Sequence, residues 1–120
     1  ANALAIMLLL KLSLMTGKDA YRQQAERSLR LFARSALEMS VHAGAFFCAY
    51  DAFFRMLKLT VEAMPDSELA RAARALAGTT YNVVLYGEEN NRVIPCTANT
   101  CYDPILDPAQ LRDSCARIQG

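Results

Sequence analysis

The stretch from Leu57 to Tyr86 limits the folds open to this chain more than any other part of it. Residues 57–63 alternate apolar and polar side chains, the pattern of a strand buried on one face. Residues 81–86 are almost wholly apolar, which predicts a second, more deeply buried strand. Between them, apolar residues recur on one face of a helix that Asp66 can cap and Gly78 can end. Strand, helix and strand in this order predict a βαβ unit with two parallel strands.

The composition is that of a globular protein and gives no support for nucleic-acid binding. Of the 120 residues, 53% are hydrophobic and 21% are charged, a balance that allows a buried core. The formal net charge is +1, whereas nucleic-acid binding calls for a strongly basic face. We therefore expect no nucleic-acid partner.

The amino-terminal segment, residues 3–15, is apolar on nearly every side and is interrupted only by Lys11 and Ser13. A membrane span needs about 20 apolar residues and a signal peptide needs a basic start, so we expect neither. A helix of this composition needs neighbours on all sides. Because the sequence also begins without Met, we expect it to start inside a larger protein whose other residues cover this helix.

Three consecutive helices are predicted before the βαβ unit. Residues 16–19 carry a helix stop and then a helix start, which is typical of a helical hairpin. An amphipathic second helix is predicted over residues 19–39, and an aromatic-rich third helix follows a turn at residues 40–42. If successive helices alternate in direction, the first and third lie side by side, with Asn2 and His42 on one rim.

The predicted fold class is therefore α+β. Residues 1–56 are predicted to be three helices of an α/α toroid. Residues 57–120 are predicted to form a small, mainly parallel βαβ sheet unit with a cysteine loop and a C-terminal helix. Asp107 followed by Pro108 predicts the start of that last helix.

Cys96 and Cys101 lie near the C-terminus with four residues between them. This spacing is neither the redox Cys-x-x-Cys motif nor one half of a zinc ribbon. The residues leave three interpretations open, namely two packed thiols, a structural disulfide, or a redox pair with a stabilised thiolate. Cys48, which lies among aromatic residues of the third helix, is predicted to be buried.

Other candidate sites are few. Residues 87–91 form a polar loop after the second strand, where a ligand crevice or an ordinary exposed turn would fit. His42 is the only histidine, so a metal site with two histidines is excluded. We expect neither a metal nor a cofactor. As a lone ring at a helix start, His42 has either a structural role or a place on a substrate rim.

Two parts of the chain resemble a known family, the thioredoxin-domain-containing proteins related to spermatogenesis-associated protein 20. The helical part carries the pattern Asn2-Ala3, Leu8-Leu9, Leu12, Leu14, Thr16-Gly17, Tyr21, Ala25, Leu29 and Phe32, similar to the last helical hairpin of that family. The tail is the more specific match, with Cys96-Thr97-Ala98-Asn99-Thr100-Cys101-Tyr102-Asp103-Pro104 followed by Asp107-Pro108.

The resemblance implies an architecture more than a reaction. Members of the family have a thioredoxin-like domain, then an α/α barrel similar to N-acylglucosamine 2-epimerase, then a tail of this kind. On that basis the chain is a non-catalytic C-terminal portion of a carbohydrate-active barrel protein, whose parent is an epimerase-like or isomerase-like enzyme. His42 would move a proton and Asn2 would bind a sugar hydroxyl on the barrel rim. The rest of the site would come from other helices, so the chain alone should be inactive.

The expected partners follow from the same resemblance. They are the remainder of a larger parent chain, a thioredoxin-like domain, or a second copy of the chain, in a cytoplasmic protein without a membrane partner. A second function hypothesis remains beside the first. In it, the cysteine loop and sheet form an interaction module that docks a thioredoxin-like domain or self-associates.

Overall fold

The structure is a computed structural model that describes residues 2–36, 38, 43–79 and 81–120. The chain divides into two compact units, residues 1–54 and 55–120, whereas the predicted division lay between residues 56 and 57. The elements are α1 (Asn2–Thr16), α2 (Asp19–Ala36), α3 (Ala43–Arg55), β1 (Lys58–Glu62), α4 (Glu68–Thr79), β2 (Val83–Tyr86), β3 (Arg92–Cys96) and α5 (Pro108–Gln119). The α+β class is therefore confirmed. Within the described ranges, every helix is too short or too polar to traverse a bilayer.

Gly17 joins α1 to α2 in the first unit. Its φ of +72° lies in the left-handed region that favours glycine, and its N–H donates to the carbonyl of Ser13 at 2.9 Å. Thr16 Oγ1 then accepts from the N–H of Lys18 at 3.2 Å, and α2 begins at the next residue, Asp19. The helix stop and start predicted at residues 16–19 are confirmed, and α1 and α2 pack extensively against each other.

Arg22 attaches α2 to α3. Its guanidinium carbon lies 4.0 Å from the ring centroid of Phe53, and its Nη2 donates to the Phe53 carbonyl at 3.0 Å. Burial in this contact lowers the pKa of Arg22, partly offset by Asp19 and Glu26. Among the described residues, α1 packs extensively only on α2, so the predicted side-by-side packing of α1 and α3 is not found. Cys48 is exposed, which contradicts the prediction that it is buried.

The sheet of the second unit has the order β2-β1-β3. β1 pairs in parallel with β2, with Lys58 opposite Val83, so the predicted parallel pair is confirmed. On its other side β1 pairs antiparallel with β3, with Lys58 opposite Cys96. The sheet is therefore mixed rather than mainly parallel. The prediction that the second strand is the more deeply buried one is also wrong, because β1 is central and β2 is an edge strand.

One hydrophobic core holds the second unit together, and α4 and α5 pack against the sheet there. Its buried members come from β1, α4, β3, α5 and the segments beside them: Leu57, Leu59, Val61, Ala63, Leu69, Ala70, Ala73, Val93, Ile105, Leu111 and Cys115. Ser67, not Asp66, caps α4, since its Oγ accepts from the N–H of Ala70 at 3.1 Å. Gly78 lies inside the last turn of α4, one residue before its end.

A buried amide ties the end of α5 to the beginnings of β1 and β2. Asn82 is 5% exposed, and its Oδ1 accepts from the N–H of Leu57 at 3.2 Å. It also accepts from Gln119 Nε2 at 2.9 Å, and that amide donates in addition to the carbonyl of Arg55 at 2.8 Å. The network fixes where the chain enters both parallel strands.

Candidate functional site

The predicted substrate rim falls on residues that the structure does not describe fully. His42 lies outside the described residues. Asn2 begins α1, but its side chain is also outside the described part of the chain. Proton transfer by His42 and sugar binding by Asn2 therefore stay predictions.

The cysteine loop is well defined. Cys96 ends β3 and Cys101 lies opposite it, with a disulfide between them and Cα atoms 4.0 Å apart. The N–H of Thr97 donates to the carbonyl of Thr100 at 2.7 Å, and the N–H of Thr100 donates back to Thr97 Oγ1 at 3.1 Å. Of the three interpretations left open by the spacing, the structure contains the disulfide. The loop is closed both covalently and by backbone hydrogen bonds.

After the disulfide the chain returns along the free edge of β3. The N–H of Tyr102 donates to the carbonyl of Pro95 at 2.9 Å. Val93 and Ile105 then exchange two backbone hydrogen bonds, at 2.9 and 2.8 Å. We call residues 101–106 the return segment. It occupies the edge of β3, an edge that would otherwise offer unpaired backbone groups to another chain.

A groove of about 580 Å³ lies between the return segment and α5. Its lining combines apolar and polar side chains: Pro95, Tyr102, Asp103, Pro104, Ile105, Leu106, Asp107, Gln110, Ser114, Arg117 and Ile118. All of these residues belong to the second unit. The volume falls within the range of small-molecule sites.

The charged groups of the groove are two carboxylates and one guanidinium. Asp107 caps α5, since its Oδ1 accepts from the N–H of Ala109 at 2.9 Å, which leaves one oxygen for another partner. Arg117 Nη2 donates to Ser114 Oγ at 3.3 Å along the same helix. Asp103 is exposed on the opposite wall. This arrangement can bind polar groups.

The two free thiols differ in exposure. Cys115 is fully buried in the core, and this burial raises its pKa to about 11, so the thiol stays protonated near neutral pH. Cys48 is exposed on α3. Within residues 2–36, 38, 43–79 and 81–120, no three histidine, cysteine, aspartate or glutamate side chains come close enough to hold a metal ion.

The loop at residues 87–91 has the features of an exposed turn. The N–H of Gly87 donates to the carbonyl of Val61 at 3.1 Å, and the N–H of Asn90 donates to that of Glu62 at 2.8 Å. Asn91 adopts a left-handed φ of +53°, which asparagine tolerates. Arg92 then pairs with Glu62 across the antiparallel strands. The structure thus favours the turn over the ligand crevice.

Sequence reasoning found the two cysteines and the cap of α5 but missed the groove. Arg117 was not singled out, because its helical spacing alone looks like a solvated face, and Gln110 was interpreted only as part of the start of α5. The available signal was Pro104 followed by Asp107-Pro108, which indicates a stiff segment leading into a helix. That signal does not reveal where the helix packs.

No protein-family model matches this chain, and searches of curated proteins and of solved structures find no significant match.

Proposed function

We propose that this chain is the non-catalytic C-terminal portion of a larger barrel protein that resembles N-acylglucosamine 2-epimerase. In this proposal α1 and α2 are the last helical hairpin of the α/α barrel, and residues 57–120 close it. The parent is an isomerase-like enzyme that acts on a carbohydrate. This chain contributes packing and part of the rim, and the remaining helices supply the other groups of the site.

The observation that carries the proposal is an exposed apolar stripe on α1. Because successive helical residues turn by about 100°, Leu4, Leu8 and Met15 fall on one side of α1, where the exposed Lys11 also lies. They are 76%, 58% and 51% exposed, and we call them the α1 stripe. Ile6 and Leu10, on the other side, are each 1% exposed. A helix that is apolar on both sides is typical of an element between two protein layers.

A second exposed stripe lies on α3 of the same unit. Phe47, Tyr50 and Phe54 share one side of that helix, and each is about half exposed or more. The rings of Tyr50 and Phe54 pack edge-on with their centroids 5.2 Å apart. Exposed aromatic rows of this kind are enriched in protein interfaces. In a complete barrel, neighbouring helices would cover both stripes.

The proposal also includes a location and partners. The partners are the preceding parts of the same polypeptide, including a thioredoxin-like domain. A cytoplasmic location belongs to the same proposal; the free thiols of Cys48 and Cys115 fit a reducing compartment, whereas the Cys96–Cys101 disulfide is of a kind that is rare there.

Light scattering of the 120-residue chain tests whether the α1 stripe seeks a protein neighbour. We expect concentration-dependent association of the unmodified chain, because the barrel helices proposed to pack on the stripe are absent from it. The double variant Leu4→Gln/Leu8→Gln should shift the chain toward a monomer. Leu31→Gln on α2 is the matched control, since Leu31 is 73% exposed but stands outside the stripe, and it should associate like the unmodified chain.

Two outcomes would contradict the proposal. One is a monodisperse monomer of the unmodified chain at high concentration. The other is association that Leu4→Gln/Leu8→Gln and Leu31→Gln weaken equally, because general hydrophobicity and not the stripe would then drive it. Circular dichroism of each variant checks that its helices are intact.

A further inference from the structure

The two sulfur atoms of the disulfide belong to residues in very different environments. Cys96 is 3% exposed at the end of β3, where the strand joins the sheet. Cys101 is exposed, at the beginning of the return segment. The bond is therefore more accessible to a reagent in solution from the side of Cys101. Disulfide exchange depends on which sulfur an attacking thiolate can reach.

We propose that the Cys96–Cys101 disulfide is an exchange site for dithiols, attacked at Cys101, and that its opening loosens the part of the return segment that lines the groove. This inference rests on the geometry of the cysteine loop and does not depend on the barrel proposal.

The exchange proceeds in two balanced steps. A thiolate of the dithiol attacks Cys101 Sγ, which forms a mixed disulfide, and Cys96 leaves with the electron pair and takes a proton from solvent. The second thiol of the reagent, as a thiolate, then attacks the reagent's first sulfur atom, which is bonded to Cys101 in the mixed disulfide. Cys101 leaves as a thiolate. The reagent ends as an intramolecular disulfide, oxidised by two electrons, and the protein ends with two thiols.

The short loop explains why the reagent should be a dithiol. After the first step the Cys96 thiol remains beside the mixed disulfide, since only four residues separate the two cysteines. Its effective concentration is therefore high, and attack on Cys101 Sγ recloses the original bond. A monothiol is expelled in this way. A dithiol instead forms its own intramolecular disulfide before the Cys96–Cys101 bond can form again.

The effect on the fold should be local. The hydrogen bonds nearest the disulfide are those from Thr97 to Thr100 and from Tyr102 to Pro95. Further along, Val93 and Ile105 hold the return segment by two bonds of their own and are both buried. Opening the disulfide releases the first pair of contacts and leaves the second. Because Pro95 and Tyr102 line the groove, its wall changes there.

Two variants that each keep one cysteine of the pair test which sulfur a disulfide reagent can reach. Both carry Cys48→Ala to remove the exposed thiol, and one adds Cys96→Ala while the other adds Cys101→Ala. With oxidised glutathione under native conditions, Cys101 should form a mixed disulfide at least about tenfold faster than Cys96. Buried Cys115 is the internal control and should stay unmodified. Equal rates, or a faster reaction at Cys96, would overturn the proposal.

The Cys48→Ala chain with its disulfide intact provides a measurement that does not depend on the folding of those variants. Dithiothreitol should open the bond without denaturant, while an equal concentration of thiol groups as reduced glutathione should leave it closed. In amide hydrogen exchange, the N–H groups of Thr97 and Tyr102 should then exchange faster, and those of Val93 and Ile105 should not change. Reduction that requires denaturant, or faster exchange throughout the sheet, would make the bond a structural brace instead.

Discussion

Replacing Asn82 with alanine should destabilise the second unit by removing a buried hydrogen-bond acceptor. Leu57 is fully buried, and its N–H donates to Asn82 Oδ1 at 3.2 Å. In Asn82→Ala that donor would lie in the core without its partner. Gln119 would lose one bond as well, but it would keep the bond to the carbonyl of Arg55 at 2.8 Å.

The expected cost follows from which group is left unpaired. A buried donor without a partner costs about 1–3 kcal/mol, whereas a typical net hydrogen bond contributes about 1 kcal/mol. We therefore expect Asn82→Ala to lower the free energy of unfolding by about 2 kcal/mol. With a urea m-value of about 2 kcal/mol/M, the midpoint should fall by about 1 M.

Gln119→Ala is the matched control for the urea experiment, followed by far-UV circular dichroism. It removes the other donor to Asn82 and also the bond to the Arg55 carbonyl, but it leaves the bond from Leu57 in place. The Arg55 bond is exposed to solvent, so water replaces it and the variant should cost about half as much as Asn82→Ala. Equal costs for the two variants would refute the reasoning, because the buried N–H of Leu57 would then contribute nothing. So would an Asn82→Ala midpoint within error of the unmodified chain.

Three further predictions concern other contacts. The Cys96–Cys101 disulfide restricts the unfolded chain over a loop of about six residues, and reducing it removes this restriction. The free energy of unfolding should therefore fall by about 2 kcal/mol in urea titrations with dithiol, and no change would contradict the prediction. Asp107→Ala should cost about 1 kcal/mol by removing the α5 cap, while Asp107→Asn should restore most of it in the same assay. Burial raises the pKa of Cys115 from 9.0 to about 11, so the unfolded chain loses this proton at a lower pH than the folded one. The free energy of unfolding should therefore be unaffected by Cys115 below pH 9 and should fall between pH 9 and 11. Cys115→Ala should flatten that part of the urea midpoint profile, and native iodoacetamide at pH 8 should label Cys48 but not Cys115.

Local signals predicted the two parallel strands and the helices of the second unit well but misjudged which of the two strands is the more buried. β1 alternates because only one of its faces is fully buried, although it is the central strand. On its other face the polar residue Glu62 pairs with Arg92 of the neighbouring strand β3. The continuous apolar run of β2 predicted burial on both faces. In the structure Val84 and Leu85 are only partly buried, on an edge strand. Which strand is central depends on where β3 pairs, and that is a long-range contact.

The candidate site was predictable only in part for the same reason. The spacing of Cys96 and Cys101 allowed a disulfide, and Asp107 with Pro108 fixed the start of α5. The groove arises from packing between α5 and the return segment, and no local pattern in either element carries that information. The exposed stripe on α1 was different, because its excess of apolar residues could be read directly from the sequence.

The most direct test of the proposed role is the mass of the native polypeptide that carries this sequence, measured on protein from its own cells. The 120 residues account for 13.3 kDa. If the α1 stripe packs against other helices of a barrel, the native polypeptide should be several times heavier, with this sequence at its C-terminal end. A native polypeptide of about the same mass as the chain would contradict the proposal and would favour an independent interaction module.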